Sequence, residues 1–234
     1  MNLNGKIIVI TGANGGIGSA LVKELIKEGA KLILIEKNAT DSSAYACDLT
    51  DKAQLKSLTQ RLLAENAVVD ALINCAGVGI YKSITELSEG EWETSINLNL
   101  SAPFLLTKQL LPALRKSELS LVLNIGSGMG VMPTNDRSAY CASKFGLRGL
   151  TLSLAEEFKN SKPHFCLITL GSTLTGFAGR PVEERLKLQK QGRAYFTSEW
   201  VAEKLVGIIK DESRTEEYTL YPSDYGFGTW KKPQ

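Results

Sequence analysis

A chain of 234 residues, 43% hydrophobic and 22% charged, has the composition of a globular protein and the length of one large α/β domain. Its formal charge of +2 gives no electrostatic footprint for nucleic acid, and no apolar run is long enough to cross a bilayer. Its four cysteines are at least 25 residues apart and its one histidine, His164, precedes an apolar run, which argues against zinc, thioredoxin-type and Ser-His-Asp chemistry. With an apolar strand starting right after Met1-Asn2-Leu3-Asn4-Gly5, there is no room for a secretory leader, and a reducing, cytoplasmic setting is expected.

In chain order, Lys6–Thr11 is a β-branched run of the kind buried on both faces of a sheet. Gly12-Ala13-Asn14-Gly15-Gly16-Ile17-Gly18 follows, then a helical pattern to about Glu28, closed by Gly29. Strand, glycine turn and helix together make a dinucleotide-binding device: glycines admit the pyrophosphate to the backbone, and the helix start supplies N–H groups and a positive dipole end. A second strand, Lys31–Ile35, ends at Glu36, whose carboxylate is placed to accept both adenosine ribose hydroxyls. A third strand is predicted at Ala44–Asp48, only seven residues later, too few for a stable helix between them, so this side of the adenosine pocket is expected to be open. Asp51–Asn66 reads as a helix whose Leu55, Leu58, Leu62 and Leu63 face the core, and Ser198–Lys210 as another, capped by Ser198.

The strand Leu121–Ile125 stops at Gly126-Ser127-Gly128 and leaves the Ser127 hydroxyl at its carboxyl end, where open α/β sheets bind ligands. On the helix predicted over Ser138–Phe158, Tyr140 and Lys144 are four apart and share a face. An ammonium beside a phenol favours the phenolate and lowers its pKa toward neutrality. Alone, such a pair reads as a surface tyrosine with a solvated lysine; with Ser127 nearby it makes a general acid/base site.

Six stretches in order resemble the classical short-chain dehydrogenases/reductases, over about residues 5 to 210. They are Thr11–Gly18, Asp48-Leu49, Asn74-Cys75-Ala76-Gly77, the segment Trp92–Leu100, the Ser127-to-Tyr140 interval, and Tyr140 with Lys144. The resemblance implies a single doubly wound, Rossmann-type domain of about seven mostly parallel strands spanning 1–234, and an oxidoreductase interconverting ketones or aldehydes with alcohols. It also implies Asn99, Ser127, Tyr140 and Lys144 as catalytic residues: Tyr140 as acid/base, Ser127 holding the substrate oxygen, Lys144 also binding the nicotinamide ribose, and Asn99 keeping a water in the proton relay. For the cofactor it implies contacts from Gly12, Asn14, Gly16, Ile17 and Gly18, then Glu36, Asp48 and Leu49. Asn74, Ala76 and Gly77 follow, with Tyr140, Lys144, Gly171, Thr173 and Thr175 at the nicotinamide half. Three departures stand out: Leu170-Gly171 where the family has Pro-Gly, the short stretch after Glu36, and a C-terminus, Tyr218–Gly226, without the family's usual close.

NAD(H) is the expected cofactor, because Glu36 repels a 2′-phosphate and Gly15 stands where NADP-using relatives place a basic residue; NADP(H) is the alternative, through Lys37. The substrate is expected to have a hydrophobic portion, met by Met129, Val131 and Met132, by Val78, Ile80 and Tyr81, and by Phe177, Tyr195 and Phe196. Residues 172–197 are expected to form a lid, hinged at Gly176, Gly179 and Gly192, with a short helix at Pro181–Gln191 anchored by Val182 and Leu186. The cations Arg180, Arg185, Lys187, Lys190 and Arg193 are read as a solvated helix face, with an acidic substrate or acyl-carrier protein as the alternative. The expected assembly is a homodimer or homotetramer, with neither membrane nor nucleic acid as a partner and no metal. Other readings of the whole are a non-catalytic NAD(P) sensor, a sugar epimerase or dehydratase, which would share the fold and the tyrosine–lysine pair but normally has a larger C-terminal substrate region, and, as a substrate class, a 3-oxoacyl-carrier-protein reductase.

Overall fold

The apolar β-prone runs become seven parallel strands: β1 (Ile7–Thr11), β2 (Lys31–Glu36), β3 (Ala44–Ala46), β4 (Ala71–Asn74), β5 (Leu121–Ile125), β6 (His164–Leu170) and β7 (Glu217–Leu220), in the order β3-β2-β1-β4-β5-β6-β7. The computed structural model describes residues 2–39, 44–118 and 120–229. Parallel neighbours require crossovers, and among the described residues seven α-helices supply most of that mass: α1 (Gly16–Lys27), α2 (Lys52–Glu65), α3 (Glu89–Ile96), α4 (Ala102–Leu114), α5 (Ser138–Glu157), α6 (Val182–Lys190) and α7 (Ser198–Lys210).

Alternation along each strand divides the core in two. Ile8 and Ile10 turn to a layer shared with Leu21 and Leu25 of α1 and Leu205 of α7. Val9 turns the other way, to Leu55 and Leu62 of α2, Leu106 and Leu110 of α4, and Phe165. Both faces are covered, which is why the central strands read as continuous apolar runs. β1 pairs with β2 on one side and β4 on the other. The sheet order therefore reverses at β1, and a crevice opens there at the carboxyl ends of the strands.

Some boundaries differ from expectation. The third strand ends at Ala46, leaving Cys47 and Asp48 beyond it. The cap of α7 is Thr197, whose Oγ accepts from the Trp200 N–H at 3.2 Å; Ser198 is already helical, and its hydroxyl donates to the carbonyl of Leu174 instead. α2 is capped by Asp51 and buries Leu55, Leu58 and Leu62, with Leu63 only partly covered. The segment expected to lack a helix after Glu36 includes residues 40–43, which lie outside the described residues.

Candidate active site

A cleft of about 1070 Å³ runs along the carboxyl ends of the strands. One end is walled by Glu36, Asp48 and Leu49, the middle by Gly12, Gly16, Ile17 and Gly18, and the far end by Ser127, Tyr140 and Lys144. Ala76 and Gly77 after β4, and Gly171, Thr173 and Thr175 after β6, close the wall between them. Of the residues the sequence assigned to the site, Asn14, Asn74 and Asn99 are not on the wall. Asn14 is exposed, while Asn74 is buried and donates from Nδ2 to Asn124 Oδ1 at 2.7 Å.

The cofactor end is built from backbone. α1 begins at Gly16 with no side-chain cap and no acidic residue in its first turn, so its N–H groups and positive dipole end face the cleft uncompensated. A β-carbon on Gly16 would lie 2.5 Å from Cγ2 of Thr175, so the loop after β6 presses on the glycine turn and shares its wall. Thr11, the first residue of the glycine motif, ties these loops together: its hydroxyl accepts from the N–H groups of Cys75 and Ala76, both at 3.1 Å. An uncapped helix start, a glycine cradle and a terminal carboxylate on β2 fit a dinucleotide. Glu36 accepts from the Asn14 N–H at 2.6 Å. Lys37 pairs with Asp48 at 2.7 Å, and that bond, with two from Thr50, holds the Asp48 carboxyl down at about 2. The ammonium considered for a 2′-phosphate is thus engaged elsewhere.

At the chemical end, α3 runs through a π-helical turn at Asn97–Ser101 into α4. Such insertions recur at functional sites, and this one carries Asn99. Asn99 is 1% exposed; its Oδ1 accepts from the Val78 N–H at 2.8 Å, and its Nδ2 donates to the Val78 carbonyl at 2.9 Å and Ser143 Oγ at 3.0 Å. It clamps the turn after Gly77 onto α5.

Ser127 leaves β5 extended, and its Oγ accepts from the Met129 N–H at 3.1 Å. Tyr140 and Lys144 are both buried. The Lys144 ammonium donates to the Ile125 carbonyl at 2.8 Å and lies 5.8 Å from the Tyr140 ring centroid. Here the structure departs from the expected near-neutral phenol. Burial pushes the Tyr140 hydroxyl up, the neighbouring Tyr81 adds to the rise, and a hydrogen bond with Ser127 opposes it without prevailing. Burial also brings Lys144 down to about 8. In this arrangement Tyr140 is a protonated donor at neutral pH, the state a carbonyl reduction requires.

The substrate end matches the predicted apolar lining at Val78, Tyr81, Met129, Met132, Phe177 and Tyr195, but not at Ile80, Val131 or Phe196. Phe196 is fully buried and stacks on Trp200 at 4.2 Å. Two contributors were not anticipated. Tyr221, from the atypical C-terminal segment, lines the cleft, and Pro222 beside it packs against Gly171, where a β-carbon would lie 2.6 Å from its Cδ. Arg137, just before α5, also lines it, together with Arg180, Arg185 and Arg193. Arg185 is not part of a solvated helix face: it turns inward and donates to the Phe177 carbonyl at 2.6 Å, while Lys187 and Lys190 are exposed. α6 itself buries no residue, and Leu186, expected to anchor it, is exposed.

Comparison with known proteins accords with this geometry. A family model described as short chain dehydrogenase matches residues 6–185. The 3-oxoacyl-acyl-carrier-protein reductase of Escherichia coli (strain K12) is 35% identical over 168 residues, which cover 67% of this chain and 69% of that protein. Among solved structures, a metagenomic short-chain oxidoreductase in complex with NADP is 27% identical with a TM-score of 0.76, covering 95% of this chain and 99% of that one. A 4-hydroxyisoleucine dehydrogenase complexed with NADH is 26% identical with a TM-score of 0.80, covering 93% and 97%.

Proposed function

The chain belongs to the short-chain dehydrogenase family and is an NAD(P)-dependent oxidoreductase of carbonyl and alcohol groups; we propose that Tyr140 is its acid/base and NAD(H) its preferred cofactor. The observation that carries this reading is the meeting of Ser127, Tyr140 and Lys144 on one wall of a cleft whose other end holds the glycine turn and Glu36. When bound, the nicotinamide supplies the hydride chemistry. Ser127 holds the carbonyl oxygen, stabilising the charge that grows on it, and Tyr140 donates its phenolic proton to that oxygen. Lys144, fixed by the Ile125 carbonyl, keeps a positive charge beside the phenolate that forms and would hold the nicotinamide ribose. Asn99 fixes the substrate-side turn through Val78 and orders the water through which the proton is replaced.

The cofactor preference rests on Glu36. Its carboxylate suits a free 2′-hydroxyl pair and repels a 2′-phosphate, and the cation next to it in sequence, Lys37, is held by Asp48. With one carbonyl substrate, kcat/KM is expected to favour NADH over NADPH by at least about tenfold, the size of a like-charge conflict at a binding site. Glu36→Ala should narrow that gap. An advantage for NADPH in the wild-type enzyme would overturn the preference. Similarity to the Escherichia coli enzyme supports a 3-oxoacyl thioester on a carrier protein as a second substrate class. A homodimer or homotetramer and a cytoplasmic setting complete the reading and rest on the family.

Residues 172–197 are read as the lid. Their ends are fixed, Thr173 bridging to Phe196 and Arg193 to Thr229, whereas no residue of α6 between them is fully buried. Gly179 and Gly192 take positive φ of 68° and 89°, as hinge positions tolerate. An element with so little buried surface opens at low free-energy cost. Amide exchange across 176–192 should be fast in the free enzyme and slow when NADH and a substrate analogue are both present. Strong protection in the free enzyme, unchanged on binding, would make the segment a fixed wall.

A further inference from the structure

We propose that the substrate carries an anionic group, a carboxylate or a phosphate ester, received by Arg137 and Arg185 beside the reacting carbonyl. This rests on the oxidoreductase reading above and adds a substrate class to it.

The two arginines approach Tyr140 from different elements. Arg137 enters just before α5, its backbone bridged to Lys82, and its guanidinium lies over the Tyr81 ring with Cζ 4.6 Å from the centroid. Tyr81 in turn meets Tyr140 edge-on at 5.5 Å. Arg185 comes from α6 and donates from Nη2 to the carbonyl of Phe177, whose ring is 5.8 Å from that of Tyr140. Each cation therefore contacts an aromatic residue whose ring meets that of Tyr140.

Their hydrogen-bonding capacity is not used up. Nε and Nη1 of Arg137 and Nε of Arg185 are buried and have no acceptor among the described residues. Stacking on Tyr81 engages the face of the Arg137 guanidinium and leaves its N–H edge without a partner. A buried N–H without an acceptor is costly, and the fork geometry of two guanidinium groups matches the oxygens of a carboxylate or phosphate. Charge points the same way. The carboxylates lining the cleft, Glu36 and Asp48, are both at its adenosine end, whereas Arg137, Arg180, Arg185 and Arg193 line the substrate end. Arg180 is paired with Glu184 at 3.3 Å. Burial, together with the like charges of Arg180 and Arg193, lowers the pKa of Arg185, a conflict that an anion relieves. The rings of Tyr81, Phe177 and Tyr195 then hold the body of the substrate between anion and carbonyl.

The test uses the full chain with NADH and two matched pairs of probes: 4-oxopentanoate against its methyl ester, and hydroxyacetone phosphate against hydroxyacetone. The charged member of at least one pair should have a kcat/KM higher by at least about tenfold, and which pair shows it distinguishes carboxylate from phosphate. Arg137→Gln and Arg185→Gln should each cut that ratio by about tenfold, and Arg137→Lys should restore part of it. Lys187→Gln, exposed on the same helix, should leave the ratio unchanged, which separates a built pocket from general attraction. Ratios near one in both pairs, or a ratio unmoved by both glutamine variants, overturn the proposal. If no probe is turned over, the probes are not substrates and calorimetry decides the pocket without turnover. Pentanoate or butyl phosphate binding about tenfold tighter than pentanamide to the wild type with NADH, and losing that margin in Arg185→Gln, supports it; equal binding of acid, phosphate and amide overturns it.

Discussion

Tyr140→Phe is expected to reduce kcat by about a thousandfold, within the range that a positioned general acid contributes, while NADH affinity stays within about threefold of wild type. The phenol hydroxyl is the group that burial keeps protonated in the cleft, and removing it takes away the donor without opening a cavity. Lys144→Ala should act differently. Its ammonium is anchored on the Ile125 carbonyl at the end of β5, so losing it should weaken NADH binding and turnover together. Fluorescence titration of NADH with steady-state kinetics on the same preparations separates the two patterns. A Tyr140→Phe enzyme with wild-type kcat would contradict the assignment.

Gly18→Ala is expected to be the most damaging single-methyl change in the cofactor half. A β-carbon there would lie 2.0 Å from the Gly12 carbonyl oxygen and 2.9 Å from its carbon. Both are backbone of the glycine turn, so α1 must move away from β1 and carry its N–H groups out of register. Overpacking of this kind costs about 1–3 kcal/mol and sometimes more. A lower Tm and at least about a tenfold loss of NADH affinity should appear together, since a small misplacement of phosphate-binding N–H groups is amplified in binding. Gly149→Ala is the matched control: it is exposed on α5, nothing lies within 4 Å of the added carbon, and a helical glycine replaced by alanine gains about 0.5–1 kcal/mol. Thermal melts of the two variants should move in opposite directions.

The sheet was legible because its signals are local. β-branched runs such as Ile7–Ile10 announce buried strands, and the glycine turn after Thr11 announces the helix that starts at Gly16. The spacing of Ser127, Tyr140 and Lys144 likewise survives into one wall of one cleft. What stayed hidden depends on partners distant in sequence. Nothing near Tyr140 reveals that burial will outweigh the lysine four residues on; that follows from Tyr81 and Phe177 closing over the ring. Arg185 looked like one cation of a solvated helix until the loop before α6 placed the Phe177 carbonyl within its reach. Tyr221 reaches the cleft only because β7 joins the sheet beside β6. The choice between Thr197 and Ser198 as a cap turned on one residue's extended backbone, a difference no composition records.

The proposed mechanism turns on the path of one hydride and one proton. The decisive measurement supplies the enzyme with NADH deuterated at the transferring C4 position and a carbonyl substrate, and locates the label in the product by mass spectrometry and NMR. One deuterium on the carbinol carbon for each NADH oxidised by the wild-type enzyme, and labelled alcohol formed about a thousandfold more slowly with Tyr140→Phe, is the predicted result. NADH oxidation that leaves the product unlabelled, or labelled alcohol formed at the wild-type rate without Tyr140, would contradict it.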